Sequence, residues 1–169
     1  TTGQRNMAIG KYSLKYNTTG SNNIGFGYSA GFCNSTGSNN IAIGYRSGTQ
    51  LTTSYNIAIG HSALCSQTSG TRNIGVGVAA GTCNSTGSCN LFVGNCSGFN
   101  VTTGNFNTII GNYYGCAGLN CTIALSAGNQ TLKVQGGVLT VNGSTVGGGG
   151  ASLDGTNSLF IGSGNTTNT

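Results

Sequence analysis

The stretch Asn40-Ile41-Ala42-Ile43-Gly44 decides the fold, because close variants of it recur along most of the chain. They occupy Asn6–Gly10, Asn23–Gly27, Asn40–Gly44, Asn56–Gly60, Asn73–Gly77, Asn90–Gly94 and Asn107–Gly111. Their closing glycines are separated by 17, 17, 16, 17, 17 and 17 residues. A Thr/Ser pair, usually followed by Gly, keeps the same spacing. The chain is therefore built from an internal repeat.

A period of 17 residues is too short for the helix pairs of ankyrin or tetratricopeptide arrays. It suits one coil of a β-solenoid with two short strands and two turns. Apolar residues alternate inside each pentapeptide, as a strand requires. We therefore expect an all-β fold, a parallel β-solenoid or β-roll with 17-residue coils, in which seven coils span residues 1–118.

Two apolar columns are predicted to fill the interior of the coils. The first is Met7, Ile24, Ile41, Ile57, Ile74 and Leu91; the second is Ile9, Phe26, Ile43, Ile59, Val76, Val93 and Ile110. By alternation, the column between them points outward. Its members are Ala8, Gly25, Ala42, Ala58, Gly75, Phe92 and Ile109. Small residues let another backbone approach, and the two bulky ones fit a solvent face badly. This column predicts a parallel homo-oligomer, a trimer; the alternative is a solvent face made of Gly and Ala.

An asparagine begins every pentapeptide: Asn6, Asn23, Asn40, Asn56, Asn73, Asn90 and Asn107. Identical placement on every coil is what a side-chain ladder along the stack needs, whereas a binding site needs only one or two such residues. Capping of the preceding turn is the alternative. We expect a structural role for this column.

The period breaks after Gly111. Residues 122–126 predict one more strand, and residues 131–134 and 138–141 predict a hairpin around Gly136 and Gly137, so that 119–146 form a strand and hairpin module. Residues 147–150, all glycine, predict a hinge or a close-packed crossing. Residues 151–169 restart the repeat, because 159–162 echo 91–94. Together, the residues after Gly162 and those up to Gly10 make one period, which predicts a longer array or end-to-end stacking without caps.

Composition removes most enzyme classes. Charged residues are 4% of the chain, Asp154 is the only acid and His61 the only histidine. Carboxylate pairs, catalytic triads and carboxylate metal cages need residues that the chain lacks. We therefore expect no enzyme activity, cofactor or metal site. The six Lys and Arg residues are scattered too thinly for nucleic acid, and no apolar run is long enough to span a membrane.

The cysteines, tyrosines and sequons leave alternatives open. The seven cysteines are Cys33, Cys65, Cys83, Cys89, Cys96, Cys116 and Cys121. The absence of a CxxC pair argues against zinc. Cys65 and Cys83 lie on adjacent coils and can pair if the turn allows; otherwise the cysteines fill a thin core.

Tyr28, Tyr45 and His61 share one column, either as a solvent-facing ring ladder or as a sugar-stacking platform. Possible glycosylation sites include Asn17, Asn34, Asn84 and Asn100.

The segment Asn40-Ile41-Ala42-Ile43-Gly44-Tyr45-Arg46-Ser47-Gly48 resembles the head repeats of trimeric autotransporter adhesins. Those heads are left-handed parallel β-rolls of three chains around one axis. Related repeats occur in tail-fibre proteins of marine bacteriophages, and residues 104–143 resemble the end of such a phage array. The resemblance covers about two thirds of the chain. The chain departs from the bacterial adhesins in its longer period and in showing no neck or coiled-coil stalk.

The resemblance and the composition together predict a non-enzymatic fibre or adhesin segment, extracellular, on a cell surface or in a virion. Such a segment displays a face that binds a host or another surface through a glycan or a receptor. The first alternative is a self-assembling extracellular filament with a mechanical role. The second is an ice-binding solenoid, because Thr columns can present a regular face, although adjacent Thr residues on one strand cannot both point outward.

Overall fold

The computed structural model describes residues 2–141 and the strand Ser144–Thr145. In this part of the chain eleven strands form one sheet in chain order, and there is no helix. The strands are β1 Met7–Ile9, β2 Ile24–Phe26, β3 Ile41–Ile43, β4 Ile57–Ile59, β5 Ile74–Val76, β6 Leu91–Val93, β7 Thr108–Gly111, β8 Thr122–Ala127, β9 Gln130–Gln135, β10 Val138–Val141 and β11 Ser144–Thr145. The predicted hinge at 147–150 and the predicted restart at 151–169 lie outside the described residues.

Strands β1–β8 are parallel and in register, so that equivalent positions of successive repeats lie side by side. In the third coil, for example, Ala42 lies opposite Gly25 on one side and Ala58 on the other. The predicted parallel β-solenoid of about 17-residue coils is therefore confirmed. It makes about seven turns.

Each coil bends at backbone positions with positive φ, which recur at the same points of the repeat. In the third coil they are Gly44, Arg46, Gly48 and Tyr55, with φ of 124°, 53°, 53° and 65°. The glycine that closes each strand also has no room for a side chain. A Cβ built on Gly27 would lie 2.6 Å from the carbonyl oxygen of Gly44 on the next coil. Glycine is needed there both for its φ and for the close stacking of the coils.

The structure reverses the expected inside and outside of the strands. The column predicted to make oligomer contacts lies within the coils: Ala42, Ala58, Phe92 and Ile109 are buried in the core, and Gly25 and Gly75 are buried with them. Ala8 is exposed because it lies on the first coil, at the edge of the stack. The two Ile-rich columns, predicted as the core, point outward and are half-buried or exposed. The prediction was wrong because the coil is too narrow for them: a Cβ on Gly75 would already lie 3.0 Å from the carbonyl oxygen of Ala80.

The narrow core is filled by matching one large side chain with glycines around it. A Cβ on Gly25 would lie 2.9 Å from Leu14, and a Cβ on Gly75 would lie 2.8 Å from Leu64. Phe92, the largest fully buried side chain among the described residues, occupies the space that side chains at Gly81 and Gly98 would need. Small and large residues therefore alternate between positions of the coil, as close packing requires.

The C-terminal end of the parallel stack is covered. Strand β8 pairs with β7 on one side and, in antiparallel register, with β9 on the other. Strands β9 and β10 form a hairpin around Gly136 and Gly137, whose φ values of 58° and 77° suit a two-residue hairpin turn. The predicted strand and hairpin module is thus present, whereas the predicted uncapped C-terminal end, at 151–169, lies outside the described residues.

Candidate functional site

The asparagine column forms a continuous ladder inside the coils. The side-chain oxygen of Asn73 accepts the backbone N–H of Asn90 at 3.0 Å, and its amide group donates to the carbonyl oxygen of Gly87 at 2.7 Å. Both contacts join neighbouring coils, because Gly87 stacks on Gly70, its equivalent three residues before Asn73. The first contact recurs from the first coil to the seventh at 2.9–3.0 Å. These asparagines are buried from Asn23 onward, which gives the column a structural role.

The ladder continues one step beyond the asparagines. The side-chain oxygen of Asn107 accepts the backbone N–H of Thr122 at 3.1 Å, and Thr122 is fully buried. Thr122 thus occupies the asparagine position of an eighth strand, after a shortened coil. The sequence analysis predicted this strand but missed the continued ladder, because threonine breaks the motif.

The outward columns of β1–β8 form a surface that we call the apolar sheet face. It consists of Met7, Ile9, Ile24, Phe26, Ile41, Ile43, Ile57, Ile59, Ile74, Val76, Leu91, Val93, Thr108, Ile110, Ile123 and Leu125. Fifteen of these sixteen side chains are apolar and none is charged. With a strand spacing of about 4.8 Å, the face is about 34 Å long. At its C-terminal end it meets a groove of about 430 Å³ between Ile110, Leu125, Leu132 and Val141.

Nothing in the described part of the chain covers this face. Phe26 is 51% exposed on the second strand and Ile123 is 52% exposed on the eighth, while the isoleucines of β3–β5 between them are half-buried. Parallel sheets in folded proteins are almost always covered on both faces, and monomers seldom expose an apolar patch of more than a few hundred Å². The inner face of this sheet is covered by the turns of its own coils. Its outer face is therefore a surface suited to contact with another apolar surface.

The rings of Tyr28, Tyr45 and His61 stack on one another along the stack of coils. The Tyr28 and Tyr45 centroids are 5.3 Å apart, and the Tyr45 and His61 centroids are 5.1 Å apart, with interplanar angles of 11° and 17°. Both faces of Tyr45 are thus covered by its neighbours. A sugar therefore cannot stack on either face of the Tyr45 ring. At Tyr45 the column is a ring ladder that exposes only its ring edges to solvent.

A second aromatic group lies beside this ladder on the first two coils. The ammonium group of Lys15 is 4.8, 5.2 and 5.7 Å from the ring centroids of Tyr12, Tyr16 and Phe32. Lys11 lies 5.0 Å from the Tyr12 ring. Such cation–π contacts orient the charge while leaving it accessible to solvent. The edge of Tyr12 also meets Tyr28 at 5.7 Å, which joins this group to the ladder.

A cavity of about 280 Å³ opens next to these rings, lined by Tyr28, Ser29, Phe32, Tyr45, Arg46 and Thr49. Phe32 belongs both to the cavity wall and to the rings around Lys15. We call this continuous surface, from Lys11 to Arg46, the basic–aromatic edge. It combines rings, hydroxyl groups and unpaired cations on the turns of the first three coils.

The hydroxyl groups of the Thr/Ser columns form hydrogen bonds within the stack of coils. Thr18 donates to the carbonyl oxygen of Ser35 at 2.9 Å, and Thr68 donates to that of Ser85 at 3.1 Å. Each bond joins one coil to the next. The second residue of the pair is exposed at Thr36 and Thr86, but Thr36 also donates to the next coil, to the carbonyl oxygen of Thr52 at 3.4 Å.

All seven cysteines are free thiols. Cys65 approaches the carbonyl oxygen of Thr82 at 3.8 Å, next to Cys83 on the adjacent coil. Burial, and then the neighbouring Cys65, raise the pKa of the Cys83 thiol above its usual value. Within the described residues, His, Cys, Asp and Glu do not gather in groups of three or more.

The four possible glycosylation sites differ in exposure. Asn34 and Asn84 are fully buried on the inner side of the turns, so both were wrong as glycosylation sites of the folded chain. They lie in the same inner column as Leu51 and Val101. The sequence pattern did not show that this column points inward. Asn17 is half-buried, and its amide group donates to the carbonyl oxygen of Gly20 at 2.9 Å. Asn100 is exposed.

Comparisons with known proteins return no match to a family model, to a curated protein or to a solved structure. In the part of the chain that the structure describes, no helix is long and apolar enough to cross a membrane.

Proposed function

We propose that this chain is a non-enzymatic structural segment of a fibre, in which copies of the rod associate in parallel through the apolar sheet face. The observation that carries the proposal is the uncovered, uncharged face of eight parallel strands. The ladder and the close coil stacking supply a rigid rod. The face supplies the contact that holds rods together.

A second copy of the chain suits this face better than an unrelated partner. The face repeats at every coil with the same spacing, so a matching surface must be apolar and have the same spacing over about 34 Å. Another copy offers both properties. Burial of half-exposed isoleucines at a contact stabilises it by about 25 cal/mol per Å² of apolar area removed from water. The threefold arrangement rests on the resemblance of the repeat to trimeric β-rolls.

The proposed fibre is extracellular, on a cell surface or in a virion, and presents its turn edges to a host or another surface. Exposed cations and ring edges on those turns support a display role, because they lie outside the buried core of the coils. Filament growth by end stacking and ice binding are the alternatives. The pairing of β8 with β9 does not favour end stacking, because the edge of β8 is already hydrogen-bonded. The Thr hydroxyl groups that bond within the stack do not favour ice binding.

The test is the mass of the purified chain in solution, measured by light scattering coupled to size exclusion. We expect a trimer for the unchanged chain. The double variant Ile43→Lys, Ile59→Lys places two charges on the apolar sheet face and should lower the mass. Val78→Lys adds one lysine at an exposed turn position and is the control for added charge away from the face. A folded monomer of the unchanged chain at micromolar concentration would contradict the proposal, whatever the variants do.

A further inference from the structure

We propose that the basic–aromatic edge binds carboxylated polysaccharides, with Arg46 pairing a sugar carboxylate at the cavity and Lys15 pairing a further carboxylate of the same polymer. The proposal rests on the proposed function only in that a fibre displays this edge to solvent. The binding chemistry is local to the first three coils.

The charge of the edge lacks a counter-charge in the described part of the chain. Residues 2–141 contain no Asp or Glu, since the only acid of the chain is Asp154. Lys11, Lys15 and Arg46 are exposed. An anionic ligand therefore meets no competing carboxylate on this surface, and it gains charge-assisted hydrogen bonds that are about twice as strong as neutral ones.

The position of one cation is fixed before a ligand arrives. Three rings lie within 5.7 Å of the Lys15 ammonium group, and two of these rings pack against each other, Tyr16 on Phe32 at 4.8 Å. A flexible lysine normally loses side-chain entropy when it binds. The rings around Lys15 have already imposed part of that ordering.

The cavity supplies the second contact. Its volume of about 280 Å³ lies just below the usual range of ligand pockets, which suits one sugar ring of a polymer whose other rings stay on the surface. Phe32 offers an apolar wall, and Thr49 offers a hydroxyl oxygen, since its hydroxyl group donates to the carbonyl oxygen of Arg46 at 2.7 Å. Arg46 offers a planar guanidinium that binds a carboxylate through two parallel hydrogen bonds. A sugar ring that bears a carboxylate matches all three.

Two other classes of anion match the edge less well. Nucleic-acid bases need free ring faces for stacking, and both faces of Tyr45 are covered. A lipid surface would favour apolar side chains at the tips of the turns. Among the described residues, however, the phenol oxygens of Tyr12, Tyr16, Tyr28 and Tyr45 have no hydrogen-bond partner and remain to bond to a polar ligand.

The experiment measures binding of the full chain to polygalacturonate by isothermal titration calorimetry at fixed salt. Arg46→Asn removes the proposed contact, and Arg72→Asn is the matched control. Both arginines are exposed and have left-handed backbones, with φ of 53° and 57°, a conformation that asparagine tolerates. Arg72 lies on a different turn, over Tyr55 at 5.9 Å. We expect Arg46→Asn to weaken binding about tenfold or more, as loss of a charged hydrogen-bond partner does, and Arg72→Asn to leave it unchanged.

Three results would overturn the proposal. Equal losses in the two variants would show binding to net charge alone. Equal binding of the fully methyl-esterified polymer would show that carboxylates are not recognised. Binding of phosphatidylserine vesicles with the same dependence on Arg46 would assign the edge to a lipid surface. Light scattering on the same samples separates this test from the assembly test, because a monomer that binds polygalacturonate through Arg46 contradicts only the proposed assembly.

Discussion

Removal of one ladder asparagine from the middle of the stack should destabilise the whole rod. In Asn73→Ala, the backbone N–H of Asn90 loses its acceptor, and the carbonyl oxygen of Gly87 keeps only the longer bond of 3.4 Å from the side-chain amide of Gln67. Both groups lie in buried parts of the coil. A buried polar group without a partner costs about 1–3 kcal/mol, and one lost hydrogen bond costs about 1 kcal/mol. The orphaned N–H of Asn90 and the lost bond to Gly87 together predict a loss of about 2–4 kcal/mol in the free energy of unfolding.

The measurement is urea unfolding followed by circular dichroism, at one fixed protein concentration because association stabilises the folded state. A loss of this size lowers the urea midpoint by about 1 M or more. Asn100→Ala is the matched control, since Asn100 is exposed and its side chain has no hydrogen-bond partner among the described residues. We expect the control to change stability by less than about 0.5 kcal/mol. If Asn73→Ala unfolds at the same urea concentration as the control, the ladder does not hold the coils together.

Three further changes test the packing and the thiols. Gly27→Ala should lower the free energy of unfolding by about 2 kcal/mol or more in a thermal melt. Its φ of 132° is unfavourable for other residues, and its Cβ would lie 2.6 Å from a carbonyl oxygen of the next coil. Gly118→Ala, where a Cβ meets nothing within 4 Å, should be nearly neutral in the same experiment. Phe92→Ala should cost about 3–5 kcal/mol by leaving a cavity, and an unchanged urea midpoint would contradict its role in the core. Iodoacetamide at pH 8 should modify Cys83 more slowly than the exposed Cys116, because a raised pKa leaves less thiolate. Site-resolved mass spectrometry should show the difference shrinking as the pH rises, and equal rates at pH 8 would contradict it.

The repeat period by itself determined the class of fold. Seventeen residues suffice for one β-coil and not for a pair of helices, and equal spacing forces equivalent positions into register. The glycines at 136 and 137 likewise marked a turn, because both need a positive φ. These features depend on local backbone preferences, which a sequence records directly.

The direction of each strand face was decided only by the tertiary structure. Alternation shows which residues share a face, but it is symmetric between inside and outside. The distance across the coil breaks that symmetry: the opposing turn comes so close that only small residues fit, unless glycines surround a Phe92 or a Leu64. One signal in the sequence agreed with this outcome, because the ladder asparagines share a face with the small column.

The basic–aromatic edge also depends on the turns rather than on the motif. Lys15 and Arg46 are 31 residues apart, and Phe32 lies between them in sequence and joins them in space. Their grouping follows from left-handed residues in the turns, such as Tyr12, Ser29 and Arg46, which set where each side chain leaves the coil. A linear pattern contains the residues of such a surface, but only the closed coil brings them together.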